Sequence, residues 1–207
     1  AYPAYAVGGL DGAVNSVWML RGTALAVSQE SHEILRHALL EMRFWCNLRS
    51  FPLAMSGRHP DGKGELSPRH YAMLADAGTP DGESLIDSEI ASAYLRLVPD
   101  ARPKEREWIE KFAAASLLPD TTPQGSRSYG YNCSLSHRYG ESLVTFAGHS
   151  RYLWAAEIYR GANHYGRYLT HGSMQILCGG APVIDSFGSG FQVEGWDWCH
   201  IPGTTAA

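Results

Sequence analysis

The sequence predicts an α+β chain, with helices in its first 118 residues and antiparallel strands in the remainder. Three observations carry this reading. Apolar residues recur at three- and four-residue spacing up to about residue 115, which is the period of a helix with one buried face. The cluster from Pro119 to Gly125 then interrupts the pattern with two prolines, two threonines and a glycine. Beyond it the chain is rich in Tyr, Gly and Ser and alternates over short runs, the period of strands.

The elements follow in order. Leu10, Val14, Val17 and Trp18 share one helix face, and Leu25 and Val27 fall in a break. Ile34, Leu35, Ala38, Leu39, Met42 and Trp45 define a second helix, with Ser28 or Ser31 as its N-cap and with His32 and His37 expected on its surface. Pro52, Gly57, Pro60, Gly62 and Gly64 make the stretch from Phe51 to Gly64 a loop. Ser67-Pro68 starts a third helix, ending near Gly78. Asp81–Val98 and Pro103–Ala115 read as two more, the first on Leu85, Ile86, Ile90, Ala93, Tyr94 and Leu97, the second on Trp108, Ile109 and Phe112. Ser126–His137, Ser142–Ala147, Tyr152–Tyr159, Tyr168–Leu177 and Pro182–Ile184 read as strands. The predicted division is therefore 1–118 and 119–207.

Composition narrows the function classes. The net charge is −4 and 44% of the residues are hydrophobic, enough to bury a core. Basic residues are few and scattered, so no nucleic-acid-binding face is expected. No apolar run has the length of a membrane span, and no signal peptide is visible. Cys46, Cys133, Cys178 and Cys199 lack the spacing of a zinc site and are expected as buried free thiols.

The densest chemistry lies between Trp154 and Gly172, which holds Glu157, Tyr159, Asn163, His164, Tyr165, Arg167, Tyr168 and His171. So many charges and hydrogen-bonding rings are hard to bury together, so this stretch is expected to face a wet cleft. Together with Tyr2-Pro3-Ala4-Tyr5, Ser56-Gly57-Arg58-His59-Pro60 and the closing run from Glu194 to Thr205, it resembles polysaccharide lyase family 8, and within it the chondroitin sulfate ABC lyases. The matching blocks run almost from end to end, in family order.

The resemblance implies an architecture: the last helices of an α/α toroid followed by the first strands of an antiparallel β-sandwich. A piece of that kind, alone, is expected to be marginally stable and inactive. It also implies a reaction, β-elimination of uronic-acid polymers, which needs a neutralised uronate carboxylate, a base for the proton on the adjacent carbon and an acid for the departing glycosidic oxygen. By the match Tyr5 is the base and also the acid, Arg58 is the catalytic cation and Glu157 orients Arg58 or a histidine. His59, Asn163, Tyr165, Arg167 and His171 are the implied substrate contacts. The energetics are feasible: lowering a tyrosine from its free value of ~10 by two or three units asks for roughly 3–4 kcal/mol. One cation ~4 Å away supplies about 4 kcal/mol at an effective dielectric of 20. The family also places a histidine a few residues before its tyrosine, and this sequence starts too close to Tyr5 to contain it.

The implied substrate is a glycosaminoglycan, and the chemistry asks for no cofactor, although a structural divalent cation elsewhere in the parent protein is compatible with it. A secreted or periplasmic monomer, without nucleic-acid or membrane partners, completes the expectation. The competing readings are a hyaluronan, chondroitin AC or xanthan lyase of the same family, and a non-catalytic glycan-binding module. A two-carboxylate glycoside hydrolase is disfavoured, because no clear carboxylate pair is present.

Overall fold

A computed structural model of the chain describes residues 3–52, 65–99, 105–148, 174–179 and 181–182. Among the described residues five helices precede five strands: α1 Pro3–Leu20, α2 Gln29–Trp45, α3 Pro68–Ala77, α4 Ser88–Leu97, α5 Arg106–Ala114, then β1 Gly125–Tyr129, β2 Ser134–Tyr139, β3 Ser142–Ala147, β4 Met174–Cys178 and β5 Ala181–Pro182. The mixed α+β class is the one the sequence predicts. By compactness the described chain forms two units, one of residues 6–44 and 66–121, the other of Tyr5, the stretch starting at Trp45 and closing at Glu65, and the strands from Thr122 on.

In the helical unit the core is built from Leu10, Val14 and Val17 of α1, Leu39 and Met42 of α2, Tyr71 and Leu74 of α3, Ile90, Tyr94 and Leu97 of α4 and Phe112 of α5. Polar groups inside it are matched. The Tyr71 hydroxyl donates to the Leu39 carbonyl at 2.6 Å. Tyr94 meets Phe112 edge-on with ring centroids 5.6 Å apart, the geometry the ring quadrupoles favour. Asp76, buried near the end of α3, accepts from the Trp18 indole at 2.7 Å and from the Lys111 ammonium, so one carboxylate ties α1 and α5 to α3.

Helix boundaries follow local chemistry. Ser28 precedes α2 and its hydroxyl accepts from the Ser31 N–H at 3.2 Å. Pro68 occupies the first turn of α3, as read from Ser67-Pro68, while the Ser67 side chain makes no capping bond. Helix α4 starts later than the periodicity indicates, at Ser88. The Asp87 carboxylate accepts the Glu89 and Ile90 N–H groups, each at 3.1 Å, and so fixes the start. Residues 81–86 form a turn before it, which leaves Leu85 exposed.

The phase of α2 also differs from the reading. His32 is 1% exposed, whereas Ile34 is 64% exposed. His32 lies seven residues before Leu39, hence on its buried face, and Ile34 lies about half a turn away from it. His37 is on the surface, as expected.

The sheet is an antiparallel meander in the order β1-β2-β3-β4-β5. Ser126–His137, read as one strand, is a hairpin. A short 3₁₀ turn at Gly130–Asn132 and Cys133 with φ 51° reverse the chain, and Ser126 then pairs with His137. Strand β3 matches the reading to the residue. It joins β2 through Gly140 and Glu141, with Gly140 at φ 57°, a value suited to a two-residue hairpin turn. Cys46 is a buried thiol, raised well above the usual cysteine range by burial, against which Arg138 pulls down. Cys178 is exposed, contrary to expectation, because it lies on the outward side of β4.

Two outcomes test this packing. Gly78 closes α3 at φ 68°, ψ −157°, a region open in practice to glycine alone, and a Cβ there would overlap the Ser84 carbonyl oxygen. Gly78→Ala is expected to cost about 2 kcal/mol or more in a urea titration. Burial pushes the Asp76 carboxyl upward, but hydrogen bonds from Lys111 and Trp18 and the charges of Lys111 and Arg21 outweigh it and hold the group below its ordinary value. Because the folded value is depressed, this contribution is complete above the unfolded value of about 3.9 and is lost as pH falls through the folded one. Asp76→Asn should destabilise the protein at neutral pH by about 1–3 kcal/mol, and the gap to wild type should narrow below pH ~4.

Candidate active site

Tyr5 stands on the first turn of α1, whose first residue is Pro3, a residue preset for that position. The residue is 60% exposed. Gly8, Gly9 and Gly12 follow at three, four and seven residues, which places them on the face that Tyr5 heads. A Cβ at any of the three would meet nothing within 4 Å. The helix beside Tyr5 therefore offers bare backbone to the solvent, a surface that lets an extended ligand come close.

The remaining members of the expected set, Arg58, His59, Glu157, Asn163, Tyr165, Arg167 and His171, lie outside the described residues. What the structure does place are the bases of the two segments that carry them. Residues 53–64, with Arg58 and His59, join Pro52 to Glu65, and Ser50 pairs with both Asn47 and Glu65 at the base. Trp45 and Phe51 pack there at a 44° tilt, with ring centroids 5.4 Å apart. The buried guanidinium of Arg138 on β2 donates to the Cys46 carbonyl, which ties this base to the sheet. Residues 149–173, with Glu157 and the four other predicted contacts, join β3 to β4, whose ends pair at Phe146 and Met174. Tyr5 and both bases fall within one compact unit.

The Arg138 anchor at this base was not legible in the sequence. Its strand carries Ser134, Ser136 and Arg138 inward and Leu135, His137 and Tyr139 outward, the reverse of what apolarity alone indicates. The inward Arg138 meets the Cys46 carbonyl, 92 residues away, and nothing local in the sequence announces that. Among the described residues no three His, Cys, Asp or Glu side chains gather as a metal site, and no described helix is long and apolar enough to cross a membrane.

A chain with these helices, this meander and an exposed tyrosine heading α1 belongs to the lyase catalytic family, whose model ("Lyase, catalytic") matches residues 1–104. Its relatives narrow the class further. The chain is 51% identical over 224 aligned residues to a chondroitin sulfate ABC exolyase of Bacteroides thetaiotaomicron, covering 99% of the chain and 22% of the relative. It is 32% identical over 211 residues to the chondroitin sulfate ABC exolyase of Proteus vulgaris and 29% identical over 206 residues to that organism's chondroitin sulfate ABC endolyase. Each alignment spans 99% of the chain, and they cover 20% and 19% of those relatives. The chain thus spans about a fifth of the length of the curated relatives it matches. The similarity runs through helices and strands alike, as the motif blocks do.

The anchoring of the loop base can be tested directly. Arg138→Met removes the charged donor and leaves the buried Cys46 carbonyl unpaired, which should cost about 1–3 kcal/mol. Faster labelling of Cys46 by a thiol reagent under native conditions should accompany it, whereas unchanged labelling would show that Arg138 does not hold the base shut.

Proposed function

We propose that the protein bearing this chain is a glycosaminoglycan lyase that cleaves chondroitin and dermatan sulfates by β-elimination. The observation that carries the reading is the similarity to chondroitin sulfate ABC lyases along 99% of the chain, with 51% identity to one of them. The exposed phenol of Tyr5 and the placement of both segment bases in its own compact unit support it.

In this reading the tyrosinate of Tyr5 takes the proton from the carbon next to the uronate carboxylate. The electron pair released forms the ring double bond and expels the glycosidic oxygen, to which the Tyr5 phenol returns a proton. The product carries an unsaturated uronate, and no water is consumed. Arg58 favours the tyrosinate by its charge, and Glu157 fixes the direction of the guanidinium through a charge-assisted hydrogen bond. His59, Asn163, Tyr165, Arg167 and His171 contact the sugar chain. No cofactor is called on, and the enzyme acts outside the cytoplasm, where such polymers are met.

The test is the ultraviolet absorbance of the unsaturated product, followed with chondroitin sulfate, dermatan sulfate and hyaluronan as substrates for the protein at its natural length. Absorbance should rise with the first two. A hydrolase or a binding module would release or retain the polymer without it. Tyr5→Phe should lower turnover by about 10²–10⁴-fold, the usual worth of a positioned proton-transfer group, while polymer binding persists. Glu157→Gln should lower kcat with binding retained. Full turnover in Tyr5→Phe would remove Tyr5 from the chemistry.

A further inference from the structure

Helix α1 is least self-supporting in the half that leads from Tyr5. Gly8, Gly9 and Gly12 crowd into that half, and glycine is the poorest helix former after proline. Helices shorter than about 12–15 residues are marginal on their own, so such a segment depends on a neighbour. Among the described residues the first buried apolar side chain of α1 is Leu10.

Two side chains of α3 reach it. Asp11 lies between Gly9 and Gly12. Its carboxylate accepts from one terminal nitrogen of Arg69 at 3.2 Å and meets Nε2 of His70 at 3.3 Å. The other terminal nitrogen of Arg69 donates to Asn15 Oδ1 at 2.9 Å, and Asn15 Nδ2 donates to the Asp11 carbonyl at 2.6 Å. Arg69 therefore holds α1 at two points about one turn apart. His70 is 3% exposed, and burial keeps its imidazole below its ordinary value, which the hydrogen bond and charge of Asp11 offset only in part. A neutral ring can meet a carboxylate only by donating, so Asp11 accepts from both neighbours. Arg69 and His70 stand on the first turn of α3, and Tyr71, Ala72 and Leu74 just after them are fully buried. The glycine-rich half of α1 is thus fastened to a helix that the core itself anchors. All four residues belong to the helical unit.

We infer that Asp11 is a positioning residue for Tyr5, holding the glycine-rich half of α1 to α3 through Arg69 and His70. The inference rests on the lyase reading and deepens it. Tyr5 and Asp11 share one continuous helix, with a rise of about 9 Å between them. A tilt of about 10° at Asp11 would move the Tyr5 backbone by roughly 1.5 Å. A misplacement of about 1 Å can cost a reaction roughly a hundredfold in rate. The side chains of Asp11 and Arg69 are 54% and 51% exposed, so their pairing bears on where α1 points more than on whether the protein folds.

The experiment uses the protein at its natural length and the variant Asp11→Ala. Alanine is the better helix former, so any loosening of α1 in this variant comes from the lost fastening and not from intrinsic preference. Amide hydrogen exchange between Tyr5 and Leu10 should quicken about tenfold, while α4, α5 and the melting temperature stay as they were. With chondroitin sulfate, kcat should fall roughly tenfold and KM should stay within about twofold. Arg69→Gln should act in the same direction. In a Tyr5→Phe background, Asp11→Ala should lower the residual turnover no further, because it acts through that side chain, whereas damage elsewhere in the fold would multiply the two losses. Unchanged exchange, unchanged kcat or multiplied losses overturns the inference. Absence of unsaturated product from the unaltered protein would instead overturn the lyase reading, and with it the role of Tyr5 that the inference extends.

Discussion

The sheet unit depends on one buried charge. Arg138 is 2% exposed, and its guanidinium donates to the carbonyl of Cys46. A buried cation is costly to leave unpaired, and the bond to this carbonyl is one of the interactions that hold it in place. What it secures is the stretch where α2 ends and the loop containing Arg58 begins. Trp45 and Phe51 pack against each other in that stretch, and Ser50 pairs with Glu65 across its base. A side chain in the sheet is thereby tied to the stretch from which residues 53–64 depart and to which they return.

In the helical unit the corresponding centre is Asp76. Trp18 and Lys111, distant in sequence, converge on its two oxygens, and the apolar faces of α1, α3, α4 and α5 close round them. The same carboxylate forms part of the wall of a cavity beside His32. Its role in holding the helices together and its role in shaping that cavity therefore cannot be separated by removing it.

Much of the fold is legible in the sequence because helix faces and turn residues act locally. Leu10, Val14 and Val17 predict the buried side of α1, and Ser67-Pro68 with Gly78 brackets α3. The failures arise where a distant partner decides. The phase of α2 was assigned to Ile34, the more apolar residue, yet His32 takes the buried side. The start of α4 was set too early because Leu85 and Ile86 continue the apolar pattern, while the Asp87 cap ends the turn after them. Strand β2 turns its serines and Arg138 inward, and Arg138 there meets a carbonyl 92 residues away. The site is a different case. Spacing alone would not single out Tyr5, and the family resemblance did. The lyase catalytic model then matched the first 104 residues.

Helix α1 has a consequence of its own. Gly8, Gly9 and Gly12 make its first half a poor helix by intrinsic preference, each costing up to about 1 kcal/mol relative to alanine. The buried anchors, Leu10, Val14 and Val17, all lie further along. Tyr5 is thus carried on a lever whose buried anchors lie toward its far end. In an enzyme, part of the energy gained on gripping a polymer would go into ordering that lever before any proton moved. Short fragments of substrate, with less to grip, would then be turned over more slowly than their contacts at the reacting ring alone would dictate.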